Sequence, residues 1–174
     1  MGRGRVALRR PAVTLLVTAV LTLAIDQTTK AAVRALLAPA RSIAIIPGVF
    51  ELSYIHNTGA AFGLMAGGRP IFIATSLLVL AGIAYVWFRY RPRGSFVVLA
   101  LGLVSGGALG NLIDRVVAGQ VTDFLYLHYW PVFNVADSAI VVGVAILVLW
   151  LLFRPDEEDA AAEESVGGGG AGEG

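Results

Sequence analysis

The stretch "VFNVADSAIVVGVAILVLWLLF", residues 132–153, decides the fold. From Ser138 onward it is an unbroken apolar run with the length and composition of a membrane-spanning helix. Asp137 stands at its mouth. A charge at mid-bilayer costs about 2.5–3.5 kcal/mol on insertion scales, so an acid in such a place marks a functional candidate. Asn134 and Asp137 also have the spacing of a helix cap, with Asn134 at the N-cap and Asp137 three residues on. Capping and chemistry do not exclude each other.

Three more apolar runs can span a membrane, at about 12–25 continuing as helix to about 36, about 70–88 and about 96–113. The last span covers about 138–153. The chain is 57% hydrophobic with a mean hydropathy of +0.77, which is membrane composition. It contains no cysteine, so disulfides, thiol catalysis and thiolate metal sites are excluded.

Charge is divided sharply along the chain. Seven of the 12 acids follow residue 155, in the Gly-rich tail 156–174, which reads as a disordered appendage to a four-span domain over 1–155. Residues 1–155 hold 13 bases and only five acids: Asp26, Glu51, Asp114, Asp123 and Asp137. Arg3, Arg5, Arg9 and Arg10 precede the first span, Arg89, Arg91 and Arg93 fill the link between the second and third, and Arg154 follows the fourth. The positive-inside rule then places both termini in the cytoplasm and the segments 38–69 and 114–136 outside. "APA" at 38–40 resembles a signal-peptide cleavage site, but Asp26 and Lys30 interrupt the region before it, so the first span is read as an uncleaved anchor.

Polar residues collect at the outer ends of the spans. Asp26 and Lys30 in "DQTTK" are spaced i, i+4 and suit an ion pair. Gly102, Gly106 and Gly110 form a ladder for close helix packing. Asn111, Asp114 and Arg115 follow it, with Asp114 and Arg115 read as holding loops. Asp123 lies in "VTDF", on a loop or strand end, and Asn134 and Asp137 come after a short loop. That loop carries Tyr126, Tyr129 and Trp130, rings suited to the headgroup level. "VFELSYI" at 49–55 alternates as a strand does. His56 and His128 read as ordinary interfacial histidines.

These residues narrow the chemistry. No His-Glu-x-x-His occurs, which argues against a zinc protease. Ser105 in "GLVSGG" approaches a rhomboid-like serine motif, but no histidine lies within a span to serve as its base. Two carboxylates remain. Aspartates a few ångströms apart share a proton, so one can activate water while the other donates to the scissile carbonyl. A transporter using its acids as ion sites would hold them at the midplane rather than at one interface. A purely structural assembly protein would use the glycine ladder and leave the acids idle.

The blocks "DQTTK" (26–30), "NTGAAFG" (57–63), "GGALGNLIDR" (106–115), "VTDF" (121–124) and "FNVADSAI" (133–140) resemble, in order and spacing, those of bacterial lipoprotein signal peptidases, the signal peptidase II family. The likeness covers about 12–153. It implies an all-α membrane protein of four transmembrane helices, with a small periplasmic β-cradle and a short periplasmic helix. It implies an aspartic endopeptidase of the bacterial inner membrane with Asp123 and Asp137 catalytic. Asp26, Lys30, Asn57, Gly59, Asn111, Asp114, Arg115, Asn134 and Ala136 are the substrate-binding or supporting positions. The implied substrate is a diacylglyceryl-modified prolipoprotein, cut on the amino side of its lipidated cysteine. Membrane lipids and globomycin-type cyclic peptide inhibitors are the other partners. No metal, organic cofactor or nucleic acid is expected. The Gly-x-Gly-Asp pattern of other intramembrane aspartyl proteases is absent. Thr122 stands where relatives often carry an apolar residue, which is not expected to disturb the two aspartates. The small residues of "NTGAAFG" allow close backbone approach, so this loop is expected to line a substrate channel and to move.

Overall fold

The computed structural model describes residues 3–39, 41–58 and 68–153. Four helices carry it: α1 (Arg3–Leu36), α2 (Arg69–Tyr90), α3 (Ser95–Val117) and α4 (Val135–Leu152). Each is long and apolar enough to cross a bilayer, with mean hydropathies of 1.5 for the Arg10–Leu36 part of α1 and 2.2, 2.0 and 2.5 for α2, α3 and α4. At 1.5 Å per residue, the 27 residues Arg10–Leu36 reach about 40 Å, more than the hydrocarbon needs. The helix is therefore longer than a span requires, and its last turns carry Lys30 and Arg34.

α3 is the central helix. Thirteen of its residues are buried, and it packs against all three others, whereas α2 has no buried residue and packs chiefly on α3. Small residues allow the approach. A Cβ at Gly106 would lie 2.5 Å from the Ala19 carbonyl of α1, and one at Gly107 would lie 2.5 Å from the Ala136 carbonyl of α4. Gly102 faces Thr18 of α1 in the same way. Backbones that close leave no lipid between the helices, which is how helices associate where water supplies no hydrophobic drive. The outer surface is the reverse of a soluble protein's. Leu16, Val20, Leu78, Phe88, Val141 and Leu152 are all exposed, as lipid-facing positions should be.

Between the helices stands a three-stranded antiparallel sheet in the order β1 (Ser42–Ile46), β2 (Phe50–Asn57), β3 (Val121–Leu127). The β1–β2 turn contains Gly48 at φ 74°, a left-handed conformation that glycine adopts without strain. β2 pairs with β3 from Phe50↔Leu127 to Asn57↔Val121, with a register shift between Leu52 and Ile55. The sheet rests on the end of α1 through a small core of Val33, Leu37, Tyr54 and Phe124. After β3 the chain reverses sharply. Trp130 N–H donates to the Leu127 carbonyl, and Phe133 then pairs back onto Leu125. This reversal delivers Asn134 and the start of α4 beside the strand just left.

Two local features differ from the expectation. Asp123 is the third residue of β3, inside the strand rather than on a loop or at the strand's end, because β3 pairs along β2 and Asp123 stands opposite Ile55. α3 continues through Asp114 and Arg115 to Val117, because buried partners await Asp114 there. The described residues contain no short helix beyond α1–α4. Gly59, most of the "NTGAAFG" loop and the acidic tail lie outside the described residues.

Candidate active site

The polar residues at the sheet end form one buried network. Asp26, Lys30 and Asn134 have no exposed surface at all, Asp123 keeps 2% and Asp114 4%. Charges so deep persist only when every hydrogen-bonding group is met. Among the described residues no buried side-chain nitrogen or oxygen lacks a partner.

Lys30 is the hub. Its Nζ lies 2.9 Å from Asp26 Oδ2 and 3.0 Å from Asp114 Oδ2, and it donates to Asn111 Oδ1 at 3.0 Å. These use all three ammonium hydrogens. Asp26 turns its other oxygen to α4, where Oδ1 accepts the Ala136 N–H at 2.9 Å. A carboxylate of α1 thus satisfies a free amide in the first turn of α4, where the helix dipole favours negative charge. Asp114 Oδ2 also accepts the Thr122 N–H at 3.3 Å, which fixes the start of β3 to α3. Gln27 Nε2 shares its two hydrogens among Asp26 Oδ2, the Gly110 carbonyl and Asp114 Oδ1, at 3.1–3.2 Å.

The orientation of Asn111 follows from that hub. Lysine offers only donors, so the amide oxygen faces Lys30 and the NH2 group faces Asp137, donating to Oδ1 at 2.7 Å. Asn134 is fixed by the cap it makes. Its Oδ1 accepts the Asp137 N–H at 2.9 Å while Asp137 Oδ2 accepts the Asn134 N–H at 3.2 Å, a complete capping box. The Asn134 NH2 group is left to donate to Asp123 Oδ1 at 2.6 Å and to Asn111 Oδ1 at 3.2 Å. Asn57 of β2 donates to the other Asp123 oxygen at 2.7 Å.

Asp123 and Asp137 are thereby held by one residue. Asn134 touches Asp123 with its amide and Asp137 with its backbone. Each carboxylate oxygen of the pair accepts one bond from these asparagines, which leaves a lone pair on each for a water or a substrate. Burial pushes the Asp123 carboxyl up from 3.8 to about 6. The bond from Asn57 opposes this, the charge of Asp137 adds to it, and Asn134 and Lys30 oppose it.

Arg115 stands at the edge of the network. Its guanidinium lies over the Phe72 ring of α2 at 5.0 Å, and Nη1 reaches the Asn111 carbonyl only at 3.4 Å. Among the described residues it has no carboxylate within ion-pair distance. Its charge still acts on the pair across that gap.

Sequence reasoning missed three contributors. Phe72 and Gln27 join through contacts that no local spacing announces. The third is Arg34, which donates to Thr122 Oγ1 at 2.9 Å, so the hydroxyl beside Asp123 ties β3 to α1 and does not touch either aspartate. Among the described residues no cluster of His, Asp or Glu has metal-binding geometry.

Next to the pair an apolar cavity of about 350 Å3 opens along α4. Leu127, Trp130, Phe133, Val141 and Val142 line it, and Asp137 stands at its wall. Fold and site together define a multi-pass membrane protein with a carboxylate pair set between a helix bundle and a small sheet.

Comparison with known proteins narrows that class. The family model described as signal peptidase (SPase) II matches residues 18–153. The lipoprotein signal peptidase of Pelotomaculum thermopropionicum is 45% identical over 141 residues, covering 81% of this chain and 92% of that protein. That of Moorella thermoacetica is 49% identical over 144 residues, covering 82% and 95%. A bacterial membrane enzyme solved by the in meso method at 1.9 Å resolution superposes with a TM-score of 0.76 at 31% identity, over 82% of this chain and 94% of that one. The chain belongs to the signal peptidase II family, and is a membrane peptidase.

Proposed function

We propose that this chain is an aspartic endopeptidase that removes the signal peptide from diacylglyceryl-modified prolipoproteins, with Asp123 and Asp137 as its catalytic pair. The observation that carries the assignment is Asn134, one buried side chain and backbone that hold both carboxylates at once. One aspartate, ionised, takes a proton from a water between the two. The other, protonated, donates to the carbonyl oxygen of the scissile bond, and the water oxygen attacks the carbonyl carbon. Proton return to the leaving amine completes hydrolysis. The pair titrates jointly. Burial raises the Asp123 carboxyl, which favours a pair that holds a proton.

The supporting residues divide by what they touch. Asn57, Asn111 and Asn134 aim donors at the two carboxylates. Lys30, Asp26 and Asp114 fix those donors and the start of α4. Ala136 presents its N–H to Asp26, and its small side chain lets α3 approach at Gly110. Arg115, held by Phe72 and without a carboxylate partner among the described residues, is available to a substrate carbonyl or to the diacylglyceryl esters. Gly59 belongs to the same set by resemblance.

The cavity along α4 supports a lipid-bearing substrate. It starts at Asp137 and is walled by apolar side chains, so an acyl chain entering from the bilayer would set the lipidated cysteine beside the pair. Globomycin-type cyclic peptides would occupy the same place. The arginine distribution supports an orientation with both termini in the cytoplasm of a bacterial inner membrane and the site facing outward.

Cleavage of a purified lipidated precursor tests the assignment. Asp123→Asn and Asp137→Asn should each lower kcat by at least about 10³-fold, while the non-lipidated precursor is a poor substrate for the wild type. Wild-type rates in either variant would sink it.

A further inference from the structure

The opposite end of the bundle carries a cavity with different chemistry. It has a volume of about 280 Å3 and lies between the start of α1 and the end of α2, lined by Pro11, Ala12, Trp87, Phe88, Arg91 and Pro92. Its walls are apolar, and its one charged wall residue is Arg91. Arg10 precedes Pro11 in sequence, and Arg89 and Arg93 flank Arg91. All five acids among the described residues, Asp26, Glu51, Asp114, Asp123 and Asp137, belong to the sheet end, so no described carboxylate neutralises these arginines. Arg91 is also the one non-glycine residue with positive φ among those described, at φ 46° and ψ 58°. Its N–H closes α2 on the Trp87 carbonyl, a place where glycine would be unstrained. The chain keeps a strained arginine there, at the mouth of a greasy slot lined by Trp87, whose ring suits the headgroup level.

We infer that this cavity is a binding site for an anionic phospholipid, with its phosphate on Arg91 and Arg10 and an acyl chain in the slot between α1 and α2. Charge complementarity selects the anion, and the apolar walls select a lipid over a free phosphate. The chain's own acidic tail is the competing occupant. Its residues 156–174 include no aromatic and no aliphatic side chain larger than valine, so it has nothing to fill the slot. Assignment to the cytoplasmic leaflet rests on the orientation proposed above, but binding does not, because a nanodisc offers the same lipid on both faces.

The test is retention of dioleoylphosphatidylglycerol against dioleoylphosphatidylcholine on the full chain, measured by native mass spectrometry and in nanodiscs. The wild type should retain the anionic lipid selectively, and inorganic phosphate should not displace it. Arg91→Gln should weaken retention about fivefold, the worth of one cation near an anionic lipid surface. Arg91→Gly should weaken it equally while raising the melting temperature, because glycine relieves the left-handed strain; this separates binding from folding. Arg41→Gln, at the sheet end, should change nothing. Equal retention of the two lipids, insensitivity to Arg91, or displacement by phosphate would overturn the inference. So would a large gain in retention when Asp156, Glu157, Glu158, Asp159, Glu163 and Glu164 are changed to their amides, since the tail would then be the resident occupant.

Discussion

The two ends of this bundle treat charge in opposite ways. At the sheet end, Lys30 sits between Asp26 and Asp114 with no exposed surface, and every described buried side-chain nitrogen and oxygen has a partner. At the arginine end, Arg10, Arg89, Arg91 and Arg93 are all exposed and meet no described carboxylate. The difference is one of solvent. Exposed arginines keep their hydration, so they need no carboxylate from the protein. Carboxylates and a lysine enclosed by helices lose their hydration and must replace it bond for bond. A closed network of that kind fixes directions as well as energies. Asn111 and Asn134 aim their NH2 groups at Asp137 and Asp123 because Lys30 and the α4 cap engage their oxygens, and Asn57 donates to Asp123 from β2.

Substitutions of matched type at the two ends should break the symmetry of a simple charge count. Lys30→Met leaves Asp26 and Asp114 buried without their cation. It should destabilise the protein by about 3–5 kcal/mol, read as a fall in melting temperature in detergent. Arg93→Gln removes one positive charge from the other end and should stay within about 0.5 kcal/mol of wild type. Equal losses would show that the buried network has no special worth.

A pH series sharpens the same contrast. Below pH 3.8 the Asp123 carboxyl is protonated in both folded and unfolded chains. Between 3.8 and about 6 the unfolded chain releases the proton and the folded chain retains it, so stability falls as pH rises across that window. Relative to Asp123→Asn, the wild type should lose up to about 3 kcal/mol between pH 4 and pH 6.5. Parallel stability curves for the two proteins would remove the buried carboxyl from the account. Replacing the exposed Arg91 should leave the curve's shape unchanged.

Packing supplies a smaller effect. Gly106→Ala puts a methyl group against the Ala19 carbonyl at the α1–α3 contact and should cost about 1–3 kcal/mol. Gly82→Ala on lipid-facing α2, where an added Cβ meets nothing within 4 Å, should cost nothing and gain up to about 1 kcal/mol of helix propensity. A small apolar change in the cavity beside Asp137 is subtler still. Val142→Phe should raise KM for the lipidated precursor about tenfold and leave kcat nearly unchanged if an acyl chain lies there. A fall in kcat alone would place the lipid elsewhere.

Much of this was legible in the residues. The four spans were legible because hydrocarbon thickness demands about 20 apolar residues, a local property of composition. Close packing through Gly102 and Gly106 was legible because the i, i+4 period places them on one helix face. The pairing of Asp26 with Lys30 follows from the same period. Asn134 as the cap of α4, with Asp137 three residues on, is also a local matter.

Contacts between distant segments were not legible in that way. Gln27 meets Asp114 across 87 residues, Asn57 meets Asp123 across 66, and Arg34 meets Thr122 across 88. Nor did any spacing announce that Phe133 would fold back onto Leu125 and so set Asn134 between the two aspartates. The sequence by itself determined how many helices cross the bilayer and which polar residues collect at one end of them, since the solvent on either side imposes those choices residue by residue. The tertiary structure alone decided which amide faces which carboxylate, because a hydrogen bond in a closed interior is fixed by the partners already committed around it, and those come from every part of the chain.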